Sequence, residues 1–192
     1  MLTRSNIRQY ARDKRAALPA AERARAARAL STQLYRLSSR FTFSSVACYA
    51  PTPDEISPAF LFSELAAPPT VSVLPVMQPN HGLAFYTCAH PLQPNRCGIL
   101  EPQAALETRV NHANLDAIFV PLVAFDPRGY RLGMGSGYYD RLLSTLVHLN
   151  RSERPLFIGL GYACQGVETV LPEAWDIKMD YILTDSSVIG LL

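Results

Sequence analysis

Six short runs rich in β-branched and aromatic residues alternate with helical segments along most of the chain. The runs cover residues 44–50, 70–76, 83–88, 115–124, 156–161 and 178–184. Parallel strands need long crossover connections, which are usually helices, so strand–helix alternation is typical of a layered α/β fold. We therefore predict one α/β domain over residues 1–192, with three layers and a mostly parallel central sheet.

Helical patterns occupy the intervening segments and the start of the chain. Residues 4–17 and 20–38 predict an N-terminal helical pair, with Pro19 at the start of the second helix. Residues 57–66 begin with Ser-Pro, which is a helix start signal. Residues 137–148 also predict a helix, with Leu142, Leu143, Leu146 and Val147 on one face. Residues 89–114 have no period and contain three prolines, so we expect a long loop or an excursion at the sheet edge.

Charge is divided unevenly between the helical pair and the rest of the chain. Residues 1–40 contain ten Lys and Arg against two acidic residues, whereas residues 41–192 contain eight against fourteen. Such a basic arm suits nucleic acid, an anionic small ligand or simply a solvated helix face. We expect no nucleic-acid partner, because the body is acidic and no recognised binding motif accompanies the arm.

The composition excludes several classes of protein. With 48% hydrophobic and 18% charged residues, the chain is neither disordered nor fibrous. No apolar run of 18 residues is present, so no membrane contact is expected, and the polar start lacks a secretory signal. The four cysteines have neither disulfide nor zinc spacing. We expect a cytoplasmic monomer.

The most informative segment follows the apolar run Ile118–Ala124, which is typical of a strand covered on both faces. After a turn at Asp126–Gly129, glycine recurs at positions 133, 135 and 137, directly before a helix. A glycine-rich strand-to-helix loop can expose backbone N–H groups to anionic oxygens, with help from the helix N-terminus. The spacing is neither a Walker A motif nor a dinucleotide fingerprint, and the glycines alone are equally compatible with a flexible turn.

The residues around these glycines favour phosphate binding. Arg131 can donate a fork of hydrogen bonds to phosphate oxygens, and the flat rings of Tyr138 and Tyr139 can contact a heterocycle. Asp140 can hold Mg²⁺ beside a phosphate, although an acid in a first helical turn also simply complements the helix dipole.

The block Arg131–Leu143, RLGMGSGYYDRLL, resembles the signature of the 5-formyltetrahydrofolate cyclo-ligase family. Other blocks resemble that family in the same order, from about residue 4 to residue 185. They are the N-terminal pair Arg4 and Arg8, the segment Tyr49–Glu55, Leu74–Val76, Gly98–Pro102 and Leu171–Asp180.

The resemblance implies a ligase that uses ATP and Mg²⁺ to close 5-formyltetrahydrofolate to 5,10-methenyltetrahydrofolate, releasing ADP and phosphate. It implies that ATP contacts Arg4, Arg8, Arg131, Leu132, Gly133, Met134, Gly135, Ser136, Gly137, Tyr138 and Tyr139. It implies that the reduced folate contacts Ala50, Glu55, Met134, Gly135, Ser136, Gly137 and Tyr138. Asp140 and Asp176 correspond to the magnesium ligands, and Arg131, Tyr138 and Asp140 are the expected catalytic residues.

The sequence departs from the family pattern at two loop positions. Ser136 stands where some members carry lysine, and Met134 where some carry arginine or an aromatic residue. Phosphate binding would then depend more on backbone N–H groups and arginines. These departures keep open a non-catalytic folate- or nucleotide-binding regulator, and fold alone leaves open another phosphate-handling enzyme.

Other charged and aromatic residues are assigned structural roles. We expect Arg12, Lys14, Arg15, Arg23, Arg25 and Arg28 to be surface charges. We expect Trp175 to belong to the core or to a cleft wall rather than to stack on a base.

Overall fold

The computed structural model describes residues 2–79 and 81–190, which form three α-helices and twelve strands. The helices are α1 (Arg4–Ala16), α2 (Ala20–Ser38) and α3 (Tyr138–Ser144). The strands are β1 (Ser45–Ala47), β2 (Val71–Met77), β3 (Leu83–Tyr86), β4 (Gln93–Pro94), β5 (Leu100–Glu101), β6 (Arg109–Val110), β7 (Ala117–Pro121), β8 (Ala124–Phe125), β9 (Arg131–Leu132), β10 (Leu156–Leu160), β11 (Tyr181–Leu183) and β12 (Val188–Gly190). No described helix is long and apolar enough to cross a membrane.

Eight strands form one sheet in the order β12-β11-β10-β7-β1-β2-β3-β6. The five central strands from β11 to β2 are parallel. Strands β12, β3 and β6 pair antiparallel at the two edges. The predicted, mostly parallel α/β sheet is confirmed.

Side chains alternate between two cores on opposite faces of this sheet. In β7, Ala117 and Phe119 pack with the apolar side of α2, whereas Ile118 and Val120 pack with Leu142 and Leu143 of α3. A strand buried on both faces needs apolar residues at consecutive positions. This explains the first part of the apolar run 118–124; strand β7 ends at Pro121, before the run does.

Helix α1 packs against the β8–β9 hairpin rather than against the main sheet. Ile7 and Ala11, one helical turn apart, are buried beside Val123, Ala124 and Leu132. The hairpin closes through the turn Asp126–Gly129, where the Gly129 amide donates to the Asp126 carbonyl over 3.0 Å. This packing carries the first turns of α1 to the end of the sheet where β7 ends.

Two helix predictions need correction. Residues 57–66 form consecutive turns with bonds between residues three apart, such as the Leu61 amide to the Pro58 carbonyl at 3.0 Å. The Ser57 hydroxyl accepts from the Ala59 amide, which favours a turn over helix propagation. Helix α3 ends at Ser144 and continues as turns, so Val147 is left 39% exposed.

Two arginines predicted to be surface charges have other roles: Arg15 is buried, and Arg23 joins separate segments of the chain by hydrogen bonds. Arg15 continues the buried row of Ile7 and Ala11, at intervals of four residues, and is only 4% exposed. Arg23 joins the α1–α2 corner to the segment carrying Glu55, because it donates to the carbonyls of Leu18, Ala16 and Pro53. The guanidinium of Arg23 also pairs with Asp54.

Residues 89–114 are the expected edge excursion. Strands β4 and β5 form a separate two-stranded hairpin, and β6 returns to extend the sheet beyond β3. The sequence lacked a period here because these strands have only two residues each.

Candidate active site

A cavity of about 840 Å³ opens where the central strands end. Tyr49 and Ala50, which follow β1, and Leu122 and Val123, which follow β7, form its floor. Ligands of open parallel sheets bind at the carboxyl ends of strands. The sheet topology and the glycine-rich sequence therefore indicate the same ligand site.

The glycine loop, residues 133–137, forms one wall of this cavity. Gly135 and Gly137 have φ angles of +110° and +69°. Residues other than glycine adopt such positive φ angles only with strain. A Cβ on Gly137 would lie 2.9 Å from Arg141 Nη1. In the described part of the protein, no acceptor pairs with the backbone amides of residues 134–137.

Arginine side chains hold the carbonyl groups of the same loop. Arg8 Nε donates to the Gly133 carbonyl over 2.8 Å, and Arg141 Nη2 donates to the Ser136 carbonyl over 2.5 Å. Helix α3 has only seven residues, so the loop amides and arginines, more than the helix end, create the positive environment.

Arg8 has an incompletely compensated charge. Burial, followed by repulsion from Arg4 and Arg12, lowers the pKa of its guanidinium. A bound anion would relieve this repulsion, because an opposite charge favours the charged form. Arg8 is therefore suited to bind an anionic group at the loop.

Arg131 reaches the cavity from β9, and its side chain is only 3% exposed. Its Nη2 donates to Asp140 Oδ1 over 2.9 Å, and its guanidinium lies 5.9 Å from the ring centre of Tyr139. Arg131 Nε and the Tyr139 hydroxyl are buried without a partner in the described structure. Unpaired buried donors are costly in a folded protein and are a feature of sites that bind polar ligands.

A second arginine–carboxylate pair lines the cavity near the first one. Both terminal nitrogens of Arg4 donate to the Asp176 carboxylate, which also accepts from the Glu173 amide over 2.8 Å. Burial acts to raise the pKa of the Asp176 carboxyl. These hydrogen bonds and the Arg4 charge outweigh that effect, so the pKa is lowered.

The carboxylates fit a magnesium ion that arrives with phosphate better than a resident metal. The described residues contain no cluster of three or more His, Cys, Asp or Glu side chains able to hold a metal. Magnesium typically takes one or two carboxylates and completes its shell with phosphate oxygens and water. Asp140 and Asp176 would supply that number of protein ligands to a magnesium ion bound with phosphate.

Glu55 lies at the β1 side of the cavity, together with Ala50 and Tyr49. Its carboxylate accepts from the Thr52 amide over 2.9 Å, which fixes the turn that carries it. Burial, and then the charge of Glu55, raises the pKa of Tyr49 and of Tyr139 well above the ordinary value. Both phenols therefore remain neutral beside this carboxylate.

All but one of the sequence-predicted site residues line this cavity. The exception is Leu132, whose side chain is fully buried in the cluster beneath α1. Its carbonyl is already bonded to the Val123 amide. The alternation of a β-strand turns Arg131 toward the cavity and Leu132 away from it. Leu132 therefore does not line the cavity with the rest of the loop, and its predicted contact with ATP gains no support from the position of its side chain.

One part of the cavity lining was not predicted from the sequence. The β4–β5 hairpin contributes Cys97, Ile99, Leu100 and Glu101 to the cavity. Arg96 on the same hairpin reaches across to the Tyr138 hydroxyl, over 3.4 Å. The family-like block at residues 98–102 was the available signal, but a two-residue strand gives no periodicity from which a wall could be inferred.

Comparisons with known proteins agree over nearly the whole chain. A profile of the 5-formyltetrahydrofolate cyclo-ligase family matches residues 1–185. The 5-formyltetrahydrofolate cyclo-ligase of Haemophilus influenzae is 36% identical over 184 residues, 94% of this chain and 96% of that protein.

Two solved structures have the same fold. The NMR structure of Aquifex aeolicus 5,10-methenyltetrahydrofolate synthetase matches with a TM-score of 0.80 and 32% identity, covering 98% of this chain and 93% of that one. The 5,10-methenyltetrahydrofolate synthetase of Mycoplasma pneumoniae matches with a TM-score of 0.75 and 25% identity, covering 96% and 99%. The resemblance noted in the sequence is confirmed, and the chain belongs to the 5-formyltetrahydrofolate cyclo-ligase family.

Proposed function

We propose that this protein uses ATP and Mg²⁺ to cyclise 5-formyltetrahydrofolate to 5,10-methenyltetrahydrofolate, with release of ADP and phosphate. The observation that carries the proposal is the run of unpaired amides at residues 134–137, bounded by Arg8 and Arg131, in the cavity that also contains Glu55. One end of the cavity suits polyanionic oxygens, and the other suits a neutral ring with N–H donors.

The reaction needs activation of an inert group. A formyl amide is a poor electrophile, so its oxygen must become a leaving group. Transfer of the γ-phosphoryl group to the formyl oxygen breaks the bond to ADP and forms a C–O–P linkage. Attack by N10 on the formyl carbon then forms the new C–N bond, inorganic phosphate leaves with that oxygen, and N10 loses its proton.

Such phosphoryl transfer requires positioning and charge neutralisation rather than an enzyme nucleophile. The loop amides and Arg8 bind the phosphates, and Arg131 neutralises the charge that develops on the transferred group. Arg131 is already oriented by Asp140, so little reorganisation precedes the reaction. Asp140 and Asp176 would hold the magnesium ion, which would supply further neutralisation of the phosphate charge.

Glu55 orients the folate. The amino-pyrimidinone edge of a pterin presents adjacent N–H donors, which pair well with a carboxylate. Ala50 and residues 134–138 complete that part of the cavity. This arrangement directs the formyl group toward the phosphates.

An assay with purified protein tests the proposal directly. With ATP, Mg²⁺ and 5-formyltetrahydrofolate, we expect the absorbance of methenyltetrahydrofolate to appear with an equal amount of ADP, and neither to appear when ATP is omitted. Tight ligand binding by calorimetry without ADP release would instead indicate the non-catalytic regulator. Turnover of ATP with other small acids and not with folate would indicate a different phosphate-handling enzyme. The cytoplasmic location and the monomeric state stay predictions.

A further inference from the structure

Trp175 is the most exposed large hydrophobic residue in the described part of the protein. Its exposed fraction is 67%, and the side chain lines the cavity beside Glu173 and Asp176. This exposure excludes the core position that the sequence allowed. An indole at a cavity mouth offers a large flat face that the protein itself does not cover.

The turn that carries Trp175 is held in place. The Asp176 amide donates to the Glu173 carbonyl over 3.0 Å, and the Glu173 amide donates back to the Asp176 carboxylate over 2.8 Å. Arg4 fastens this turn to α1 by pairing with Asp176 and by donating to the Leu171 carbonyl over 3.2 Å. Leu171 itself has a φ of +53°, a strained conformation that is common at functional sites.

A series of contacts leads from the glycine loop to Trp175 along α1. Arg8 holds the Gly133 carbonyl, and Arg4 lies one helical turn earlier on the same face. Arg4 in turn holds Asp176, the neighbour of Trp175. Glu55, by contrast, lies among the residues that follow β1, close to Tyr139.

A ligand with its phosphates on the loop amides therefore has two directions in which to extend. Toward Glu55 lies the part of the cavity assigned to folate. Toward Arg4 lies the exposed indole.

We propose that Trp175 binds the purine base of ATP by stacking, and thereby acts as a positioning residue for the nucleotide. This proposal rests on the proposed function, because it needs ATP phosphates in the glycine loop. Stacking on an aromatic side chain favours any flat base over none, since every base has a π-face. Trp175 accordingly distinguishes nucleotides from inorganic polyphosphates more than it distinguishes one base from another.

The chain contains one tryptophan, so its fluorescence reports on this position alone. We expect ATP and ADP with Mg²⁺ to quench the emission saturably. Inorganic tripolyphosphate, which has no base, should compete with ATP for the loop and leave the emission unchanged.

Variants separate stacking from a structural role. We expect Trp175→Ala to weaken ATP binding measured by calorimetry about tenfold or more, with tripolyphosphate affinity unchanged. In turnover the loss should appear in the KM for ATP rather than in kcat, and Trp175→Phe should restore most of it. Tyr35→Ala, which removes an aromatic side chain 56% exposed on α2, is the matched control and should change neither affinity.

Each negative result has a defined meaning. If ATP binds the wild-type protein but neither quenches Trp175 nor loses affinity in Trp175→Ala, the stacking proposal is wrong and the proposed function stands. Quenching by the reduced folate instead of ATP would likewise overturn it. If calorimetry detects no nucleotide binding to the wild-type protein, both proposals fail.

Discussion

Arg4 and Asp176, which are 172 positions apart in the chain, form a two-pronged ion pair that joins the first turn of α1 to the turn carrying Trp175. The Asp176 side chain is 4% exposed and that of Arg4 is 21% exposed. The pair therefore closes one side of the cavity and also holds the N-terminal helix to the C-terminal part of the fold.

This pair predicts an acid-sensitive contribution to stability. Removing the charge in Asp176→Asn should lower the free energy of unfolding at neutral pH by about 1–3 kcal/mol, since it leaves Arg4 without its partner. The folded-state pKa of Asp176 lies below its ordinary value of 3.8. The contribution is therefore complete above about pH 5 and is lost as the pH falls through the lowered pKa.

Urea unfolding of the wild-type protein and Asp176→Asn from about pH 3 to pH 7 measures this contribution. The difference between the two proteins should shrink below about pH 4. A difference of the same size at both ends of the range would contradict the ion-pair account. Glu173→Gln is the matched control, because the Glu173 backbone rather than its exposed side chain contacts Asp176.

Replacing Arg131 with lysine separates the effect of its positive charge from the effect of its planar guanidinium. Arg131→Lys retains the positive charge but loses the planar fork that would bind Asp140 and a phosphate oxygen together. We expect kcat to fall about 100-fold, with the midpoint of thermal unfolding lowered by only a few degrees. Turnover and thermal denaturation of the same preparation check this, and a lysine variant with wild-type kcat would show that charge alone suffices.

Adding a single methyl group to the glycine loop should weaken nucleotide binding. Gly137→Ala places a Cβ 2.9 Å from Arg141 Nη1 at a φ of +69°. The Arg141 guanidinium, which holds the Ser136 carbonyl, must therefore move, and the backbone at this positive φ is strained. We expect the Kd for ATP, measured by calorimetry, to rise at least tenfold and stability to fall by about 1 kcal/mol.

A second glycine provides the control for backbone strain. Gly129 has a similar φ of +88° and lies in the β8–β9 turn, outside the cavity. Gly129→Ala is therefore the control. It should lose similar stability but retain ATP affinity. Equal losses of ATP affinity in Gly129→Ala and Gly137→Ala would argue that strain, rather than loop shape, is responsible.

Replacing Glu55 should weaken the binding of folate and leave the binding of ATP unchanged. Glu55→Gln replaces a charged acceptor with a neutral one, so we expect the KM for 5-formyltetrahydrofolate to rise about tenfold or more while the KM for ATP changes less than about twofold. The adjacent Asp54→Asn is a close control, because Asp54 pairs with Arg23 and does not line the cavity. Steady-state kinetics against each substrate checks this; equal effects of the two variants would exclude a specific role for Glu55.

The sequence was informative where a local pattern determines the structure. The nearly continuous apolar run 118–124 indicated a strand covered on both faces, and its first part lies in β7, although β7 ends at Pro121 and Ala124 begins β8. The spacing of Gly133, Gly135 and Gly137 indicated a backbone-lined loop. These predictions depend on neighbouring residues and need no knowledge of distant contacts.

The remaining features depend on tertiary contacts or very short elements. No local pattern indicates that Arg4 meets Asp176 or that Arg23 anchors the segment before Glu55. Residues 57–66 have a helix start signal, but the Ser57 hydroxyl accepts from the Ala59 amide and the segment forms successive turns. The two-residue strands of the β4–β5 hairpin are too short to show alternation.

An isotope measurement decides whether the formyl oxygen is activated by phosphoryl transfer in the glycine loop. The purified protein is given ATP, Mg²⁺ and 5-formyltetrahydrofolate labelled with ¹⁸O in the formyl group, and the released phosphate is analysed by mass spectrometry. We expect each phosphate formed with product to carry the labelled oxygen. Unlabelled phosphate, with the label recovered in water, would rule out phosphoryl transfer to the formyl oxygen.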